Sequence, residues 1–198
     1  MINIERHTAT AGAYVLHNGY FLFMCGPGQN HAAGELGVVR FGGHREKNET
    51  ALQCAAREVK EEASLDIAFH GSGVTYLMEE GIGKHEKINL REACNPVLVI
   101  RGERGALSVM YLAHGVGALK PDMETQGILL LRREGIAALC AGKVTLGAYR
   151  ANGGKLILAR PLPDDAVLVP HIQLHFLNRL FGMEPALMDG FFLTCSHE

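Results

Sequence analysis

The stretch GGHREKNETALQCAAREVKEEASL, residues 42–65, contains the clearest helix signal in the chain. Thr50 and Gln53 have the spacing of a capping box, in which two side chains satisfy backbone N–H groups at the start of a helix. The apolar residues that follow recur at the spacing of one buried helical face: Leu52, Ala55, Ala56, Val59 and Ala63. The stretch therefore predicts a helix over residues 50–63, preceded by a glycine-containing loop.

Three carboxylates, Glu58, Glu61 and Glu62, cluster on another face of this helix. Like charges three and four residues apart destabilise a helix, and the macrodipole disfavours anions in its C-terminal half. Clustered carboxylate oxygens suit hard divalent cations such as Mg²⁺ or Mn²⁺. The helix alone leaves two interpretations open, a metal site and a solvated acidic face.

The spacing around the helix distinguishes the two interpretations. In order, the residues are Gly43, five others, Glu49, seven others, Arg57-Glu58, Val59, one other, Glu61-Glu62, one other, Ser64 and Leu65. This pattern, over residues 43–65, resembles the signature of the Nudix hydrolase family, the Nudix box. Six of the seven fixed residues of the box are present. The departure is Ser64, where the family has a glycine that ends the helix in a left-handed conformation.

The resemblance implies roles for individual residues. Glu58, Glu61 and Glu62 would be the metal-binding carboxylates, and the backbone carbonyl of Gly42 would be a further ligand for Mg²⁺ or Mn²⁺. Two other positions would structure the site: Gly43 would allow close backbone approach, and Glu49 would pair with Arg57. The catalytic set implied by the resemblance is Glu61, Glu62, Glu58, Arg57 and Glu124.

The general base and the phosphate ligands are less closely defined. The base is expected to be a glutamate of the helix or one from a later loop. Glu124, in KPDMETQGILLL, is the preferred loop residue, and the alternatives are Glu103, Glu86 and Glu92. Cationic side chains near the glycine pair would contact phosphate; Arg40 is preferred because it lies on the strand leading into the site, and Arg45 is a second candidate.

The rest of the chain predicts many strands and few helices. Asn18-Gly19 between two apolar runs predicts a tight hairpin. Further strands are expected at 36–41, 65–69, 74–78, 96–101, 106–113 and 127–131, with helices at 132–141 and 170–181 and a turn between strands at 151–154. The resemblance implies an α/β fold, an α/β/α sandwich with a mixed β-sheet. We expect one Nudix-like domain over residues 1–198, with a core at about 10–142 and a C-terminal extension at 143–198 that contains a helix and packs on the core.

Composition narrows the classes of protein. The 198 residues have a net charge of −2, so charge gives no support to nucleic-acid binding. Five dispersed cysteines without a CxxC pair indicate reduced thiols. No run of 18 apolar residues predicts a membrane span. A cytoplasmic protein is the expectation, and a homodimer is left open.

The function implied by the resemblance is metal-dependent hydrolysis of a diphosphate linkage in a nucleoside diphosphate joined to another group. The alternative is a nucleotide-sensing or regulatory module on the same fold, without turnover. The sequence does not identify the substrate. Specificity is expected to depend on loops 26–35 and 79–95 and on the C-terminal extension.

Overall fold

The computed structural model describes residues 3–26, 32–81, 83–122 and 125–194. Within these ranges one mixed sheet has thirteen strands. They are β1 (Thr8–His17), β2 (Tyr20–Gly26), β3 (Glu35–Val39), β4 (Phe41–His44), β5 (Asp66–His70), β6 (Thr75–Glu79), β7 (His85–Ile88), β8 (Leu98–Arg101), β9 (Leu107–Val116), β10 (Gly127–Leu131), β11 (Val144–Thr145), β12 (Lys155–Leu158) and β13 (Val167–Pro170). The helices are α1 (Ile4–His7), α2 (Ala51–Ala63), α3 (Arg133–Ala141), α4 (Leu146–Ala151), α5 (Ile172–Met183) and α6 (Pro185–Leu193).

The sheet combines parallel and antiparallel pairs in the order β11-β13-β3-β2-β1-β9-β8-β6-β7. Strands β1 and β9 run parallel at its centre, and β4 and β5 add to β1 and β9 respectively. The β1–β2 turn is the predicted Asn18-Gly19 hairpin, with φ of 49° and 76°. Both positive φ values match the type I′ turn that Asn-Gly favours.

Helices cover both faces of the sheet, which confirms the predicted α/β sandwich. Because successive side chains of a strand point to opposite faces, Tyr14 and Leu16 of β1 pack in one core and Ala13 and Val15 in another. The first core contains side chains of α3, α5 and α6, and the second contains side chains of α2. Within the described residues, α2 is therefore the only helix longer than one turn on its face of the sheet.

The segment after residue 142 contacts the same core. Strand β13 pairs in parallel with β3, with Val167 beside Glu35 and Pro170 beside Val38. Helix α5 follows directly and buries Leu174, Phe176, Leu177 and Leu180. These contacts position the start of α5 at the end of β3 that leads into the glycine pair.

Several boundaries differ from the sequence expectations. The piece before the 151–154 turn is a helix, α4, not a strand, because Thr145 caps it by accepting from the N–H of Ala148. The expected loop at 79–95 contains β7, which pairs with β6. The expected strand at 36–41 is two strands, β3 and β4, broken at Arg40. No helix in the described ranges is long and apolar enough to cross a bilayer.

Candidate active site

Local interactions determine the shape of helix α2. The Thr50 side chain accepts from the Gln53 N–H at 3.1 Å, and the Gln53 side chain accepts from the Thr50 N–H at 2.8 Å, which completes the predicted capping box. Val59 and Ala63 are fully buried against the sheet. At the other end Ser64 has a left-handed backbone, φ 60° and ψ 14°, where glycine would avoid a Cβ penalty.

Arg57 is bonded to three of the box carboxylates. Its Nε and Nη2 donate to the two carboxylate oxygens of Glu49 at 2.9 and 3.2 Å, a bidentate pair. Its Nη1 donates to Glu58 at 2.8 Å and to Glu61 at 3.0 Å, and Nη2 also reaches the carbonyl of His44 at 3.0 Å. The bonds to Glu49 and His44 hold the loop against the helix, and hydrogen bonding to Glu49 raises the pKa of Arg57.

Glu62 connects the helix to the glycine pair. Its Oε2 accepts from the backbone N–H of Gly42 at 2.9 Å. Burial raises the pKa of the Glu62 carboxyl to about 8; donation by Gly42 and the charge of Arg40 act in the opposite direction, and Glu58 adds to the rise. Since a nearby cation favours the ionised form of a carboxyl group, a divalent ion here would reverse this shift.

Gly43 leaves room for Glu58. A Cβ at position 43 would lie 2.5 Å from both carboxylate oxygens of Glu58, closer than Cβ atoms approach other atoms. Gly42 has φ of 135°, which strains any other residue, and its Cβ would overlap Arg40. A side chain at position 42 would overlap Arg40, and one at position 43 would displace the carboxylate of Glu58.

The described residues contain no group of three acidic, histidine or cysteine side chains close enough to hold a metal ion. The reason is visible in the contacts: Arg57 lies between Glu58 and Glu61, and Glu62 turns to Gly42. The donors present, carboxylate oxygens beside the half-buried backbone of Gly42 and Gly43 in β4, match the chemistry of Mg²⁺ or Mn²⁺. Arg57 Nη1 uses one oxygen of Glu58 and one of Glu61, so the second oxygen of each carboxylate would be available to a metal ion.

The two candidate phosphate ligands lie in different environments. Arg40 is 8% exposed, and burial lowers its pKa while Glu62 and Glu58 favour its charge. Arg45 is bonded to Glu5 of α1, with Nη1 3.3 Å from the carboxylate. The structure therefore brings Arg40, and not Arg45, against the glycine pair.

Glu124, the preferred loop base, lies outside the described residues. Its loop contacts the end of α2, because the N–H groups of Lys120 and Asp122 donate to the carbonyls of Ala63 and Glu62 at 3.0 and 3.4 Å. Of the alternatives, Glu86 lies on β7, which is the edge strand farthest from β1 on that side of the sheet. Position 124 therefore follows residues that contact the end of α2, whereas Glu86 does not lie next to residues 43–65.

Sequence reasoning did not identify Cys54 or the start of α5 as parts of this region. The Cys54 Sγ lies 3.6 Å from the carbonyl of Gly43 and 3.8 Å from Arg57 Nη2, so it packs beneath the loop. In the sequence it stood out only as one of five dispersed cysteines. No local signal linked residues 171–173 to Arg40, because the β13–β3 pairing joins segments far apart in the chain.

Residues 6–92 match the family model described as NUDIX domain. Residues 6–92 are therefore similar to a NUDIX domain, and this match spans less than half of the 198 residues. Comparison with curated protein sequences gave no match.

Solved structures with a similar arrangement share little sequence with this chain. A NUDIX-family hydrolase from Clostridium perfringens is 17% identical, covering 69% of this chain and 86% of its own, with a TM-score of 0.47. An Ap4A hydrolase from C. elegans is 17% identical over 65% and 83%, with a TM-score of 0.43. An ADP-ribose pyrophosphatase from Streptococcus suis is 17% identical over 63% and 73%, with a TM-score of 0.38. At these scores the likenesses do not bear on substrate.

Proposed function

We propose that this chain is a metal-dependent hydrolase that cleaves the diphosphate linkage of a nucleoside diphosphate joined to another group. The observation that supports it most directly is the packing of Glu58 against Gly43 and the bond from Gly42 to Glu62. Three helix carboxylates lie beside strand β4, where the absence of a side chain at Gly43 leaves space for the Glu58 carboxylate. A solvated acidic face does not need this close packing.

The proposed metal ligands are Glu58, Glu61, Glu62 and the carbonyl of Gly42, and the ion is Mg²⁺ or Mn²⁺. When bound, such an ion neutralises phosphate oxygens and activates water. The chain's own residues do the rest. Arg57 and Glu49 hold the loop in place, and Arg40 offers a buried positive charge to the diphosphate.

A carboxylate must also accept the proton of the attacking water. We propose Glu124 for this role, since its loop touches the end of α2, or else a helix glutamate. In the absence of metal, burial raises the pKa of Glu62 to about 8, which disfavours its ionised form. A bound cation would be needed before Glu62 could serve as ligand or base.

The proposal extends to organisation and setting. We propose that residues 1–198 form one domain, because β13 and α5 pack on the same strands as the NUDIX segment. We propose a cytoplasmic protein with a small nucleotide substrate. We also propose that it has no nucleic-acid partner, since the net charge is −2.

The test is a hydrolysis screen with purified protein and a panel of nucleoside diphosphate conjugates, with Mg²⁺, Mn²⁺ or a chelator. Products are identified by mass spectrometry. Glu61→Gln and Glu62→Gln should each lower kcat by about 100-fold or more, while Glu86→Gln, which changes an exposed carboxylate on β7, should not. Nucleotide binding with no turnover in any metal would favour the sensing module instead.

A direct metal measurement completes the test. Mn²⁺ binding followed by electron paramagnetic resonance should weaken in Glu58→Gln and in Glu62→Gln. Unchanged Mn²⁺ affinity in both variants would contradict the ligand assignment even if activity fell.

A further inference from the structure

A cavity of about 580 Å³ is lined in part by Arg40, which is separated from the glycine pair by one residue. One wall includes Thr10 of β1, Ser108 of β9 and the guanidinium-bearing Arg40. Residues 171–173, which are the N-cap and first two residues of α5 in the C-terminal extension, also line the cavity. A cavity of this size accommodates a small organic ligand such as a nucleotide.

Arg40 is a buried cation whose charge is favoured by Glu62 and Glu58, but among the described residues neither carboxylate is in contact with it. Within the described ranges no carboxylate lies within 4 Å of its guanidinium, and its hydrogen bond to the carbonyl of Ala11 is long at 3.5 Å. A buried charge without a partner is costly, so a residue of this kind indicates an anion that arrives from outside. Glu80, a carboxylate in the cavity wall, lies instead by Gly102 and is separated from β1 by β9 and β8.

Helix α5 begins at the end of β3 that leads to Arg40. In the parallel β13–β3 register Pro170 lies beside Val38, and the N–H of His171 donates to the carbonyl of Val38 at 3.1 Å. Ile172, the first residue of α5, lines the same cavity as Arg40. Tyr14 fixes the helix start by donating from Oη to the carbonyl of Gln173 at 2.9 Å.

The start of α5 also has donors to offer. The first N–H groups of a helix have no acceptor within the helix, and no side chain caps α5. The helix has 12 residues, so its dipole favours an anion at this end. Backbone N–H groups at a helix start and an arginine are both common phosphate ligands.

We propose that Arg40 and the first-turn N–H groups of α5 bind the same phosphate group of the substrate, so that the C-terminal extension supplies one side of the phosphate site. This inference rests on the proposed function, since it gives the diphosphate substrate its place. It assigns a binding role to residues outside the matched NUDIX segment.

Ile172→Pro tests it with little disturbance. Proline removes the N–H of residue 172, is favourable at the first helical position, and requires an extended residue before it. His171 already has φ −77° and ψ 167°. Ile172→Ala is the matched control, because it trims the side chain and keeps the N–H.

The readout is the affinity for ADP and for inorganic phosphate by calorimetry at fixed Mg²⁺. ADP should bind about 10-fold more weakly to Ile172→Pro than to Ile172→Ala, as expected for loss of one hydrogen bond to a charged group. Arg40→Met should weaken binding too. The two changes should be less than additive in the double variant, because both act on one phosphate.

A second measurement does not depend on a variant folding. In the wild-type protein labelled with ¹⁵N, the amide resonances of residues 172 and 173 should shift on addition of ADP. Equal ADP affinities for the proline and alanine variants, or unmoved amides at saturating ADP, would overturn the inference even if metal-dependent hydrolysis is found. Shifted amides without any turnover would leave this phosphate site standing and reject the hydrolase.

Discussion

Replacing Arg40 by Met should have opposite effects on stability and on ligand binding. The side chain is 8% exposed and lacks an ion pair within the described ranges, so the folded protein bears the cost of a buried charge. Methionine keeps much of the apolar stem and removes that charge. Glu62 and Glu58 offset part of the cost, because both favour the charged form of Arg40.

The net effect of Arg40→Met should be a gain of about 1–2 kcal/mol in the free energy of unfolding. For a chain of 198 residues this corresponds to a rise in Tm of about 2–8 °C. The affinity for ADP should fall by about 10- to 100-fold, since a charge-assisted bond is lost. Urea unfolding with chelator gives the first quantity and calorimetry gives the second.

Arg45→Met is the matched control, because it makes the same chemical change on the other side of the glycine pair. Arg45 pairs with Glu5 at 3.3 Å with both side chains partly exposed, and such pairs contribute about 0–1 kcal/mol. This variant should lose a little stability and bind ADP normally. If Arg40→Met instead lost more than about 1 kcal/mol, Arg40 would be a structural residue and the buried-charge reasoning would be wrong.

Three further changes follow from the same contacts. Gly43→Ala should weaken Mn²⁺ binding by about 10-fold or more, because its Cβ would displace the carboxylate of Glu58. Ser64→Gly should stabilise the protein by about 0.5–1 kcal/mol in urea unfolding, since residue 64 has φ of 60°. Glu184→Gln should cost about 0.5–1 kcal/mol at pH 7 and progressively less below about pH 4.5, because Lys87 lowers the pKa of the Glu184 carboxyl and that contribution is lost as the group is protonated.

Each of these changes has a control. Gly142→Ala adds a Cβ with no atom within 4 Å, so it should leave Mn²⁺ affinity unchanged. Ser64→Ala keeps the left-handed strain and should not stabilise; equal gains from both Ser64 variants would reject the backbone explanation. For Glu184, a difference from wild type that stays constant down to pH 3 would show that the carboxylate charge is not involved.

The box and its helix could be predicted from the sequence because their determinants are local. The capping box joins positions 50 and 53, the buried face repeats within one helix, and the Asn18-Gly19 turn specifies its own backbone. The resemblance to the Nudix signature implied that Glu49 and Arg57 pair, and the structure has the two in contact at 2.9 Å.

The parts that could not be predicted depend on contacts between distant segments. The division of residues 35–44 into β3 and β4 follows from different partners, since β3 joins β2 and β13 while β4 joins β1. The hydrogen-bond partners of the carboxylates could not be predicted either. Arg57 bonds to Glu58 and Glu61, and Glu62 accepts from Gly42, because of how the side chains pack.

By itself the sequence determined that this protein has an amphipathic helix with three ordered carboxylates next to a glycine pair, because helical periodicity and turn chemistry act over a few residues. Only the tertiary structure decided that Arg40 is buried with no contacting carboxylate among the described residues, and that the start of α5 lines the same cavity. Strand register across a parallel pair is specified by burial of whole faces, and no single stretch of sequence encodes it.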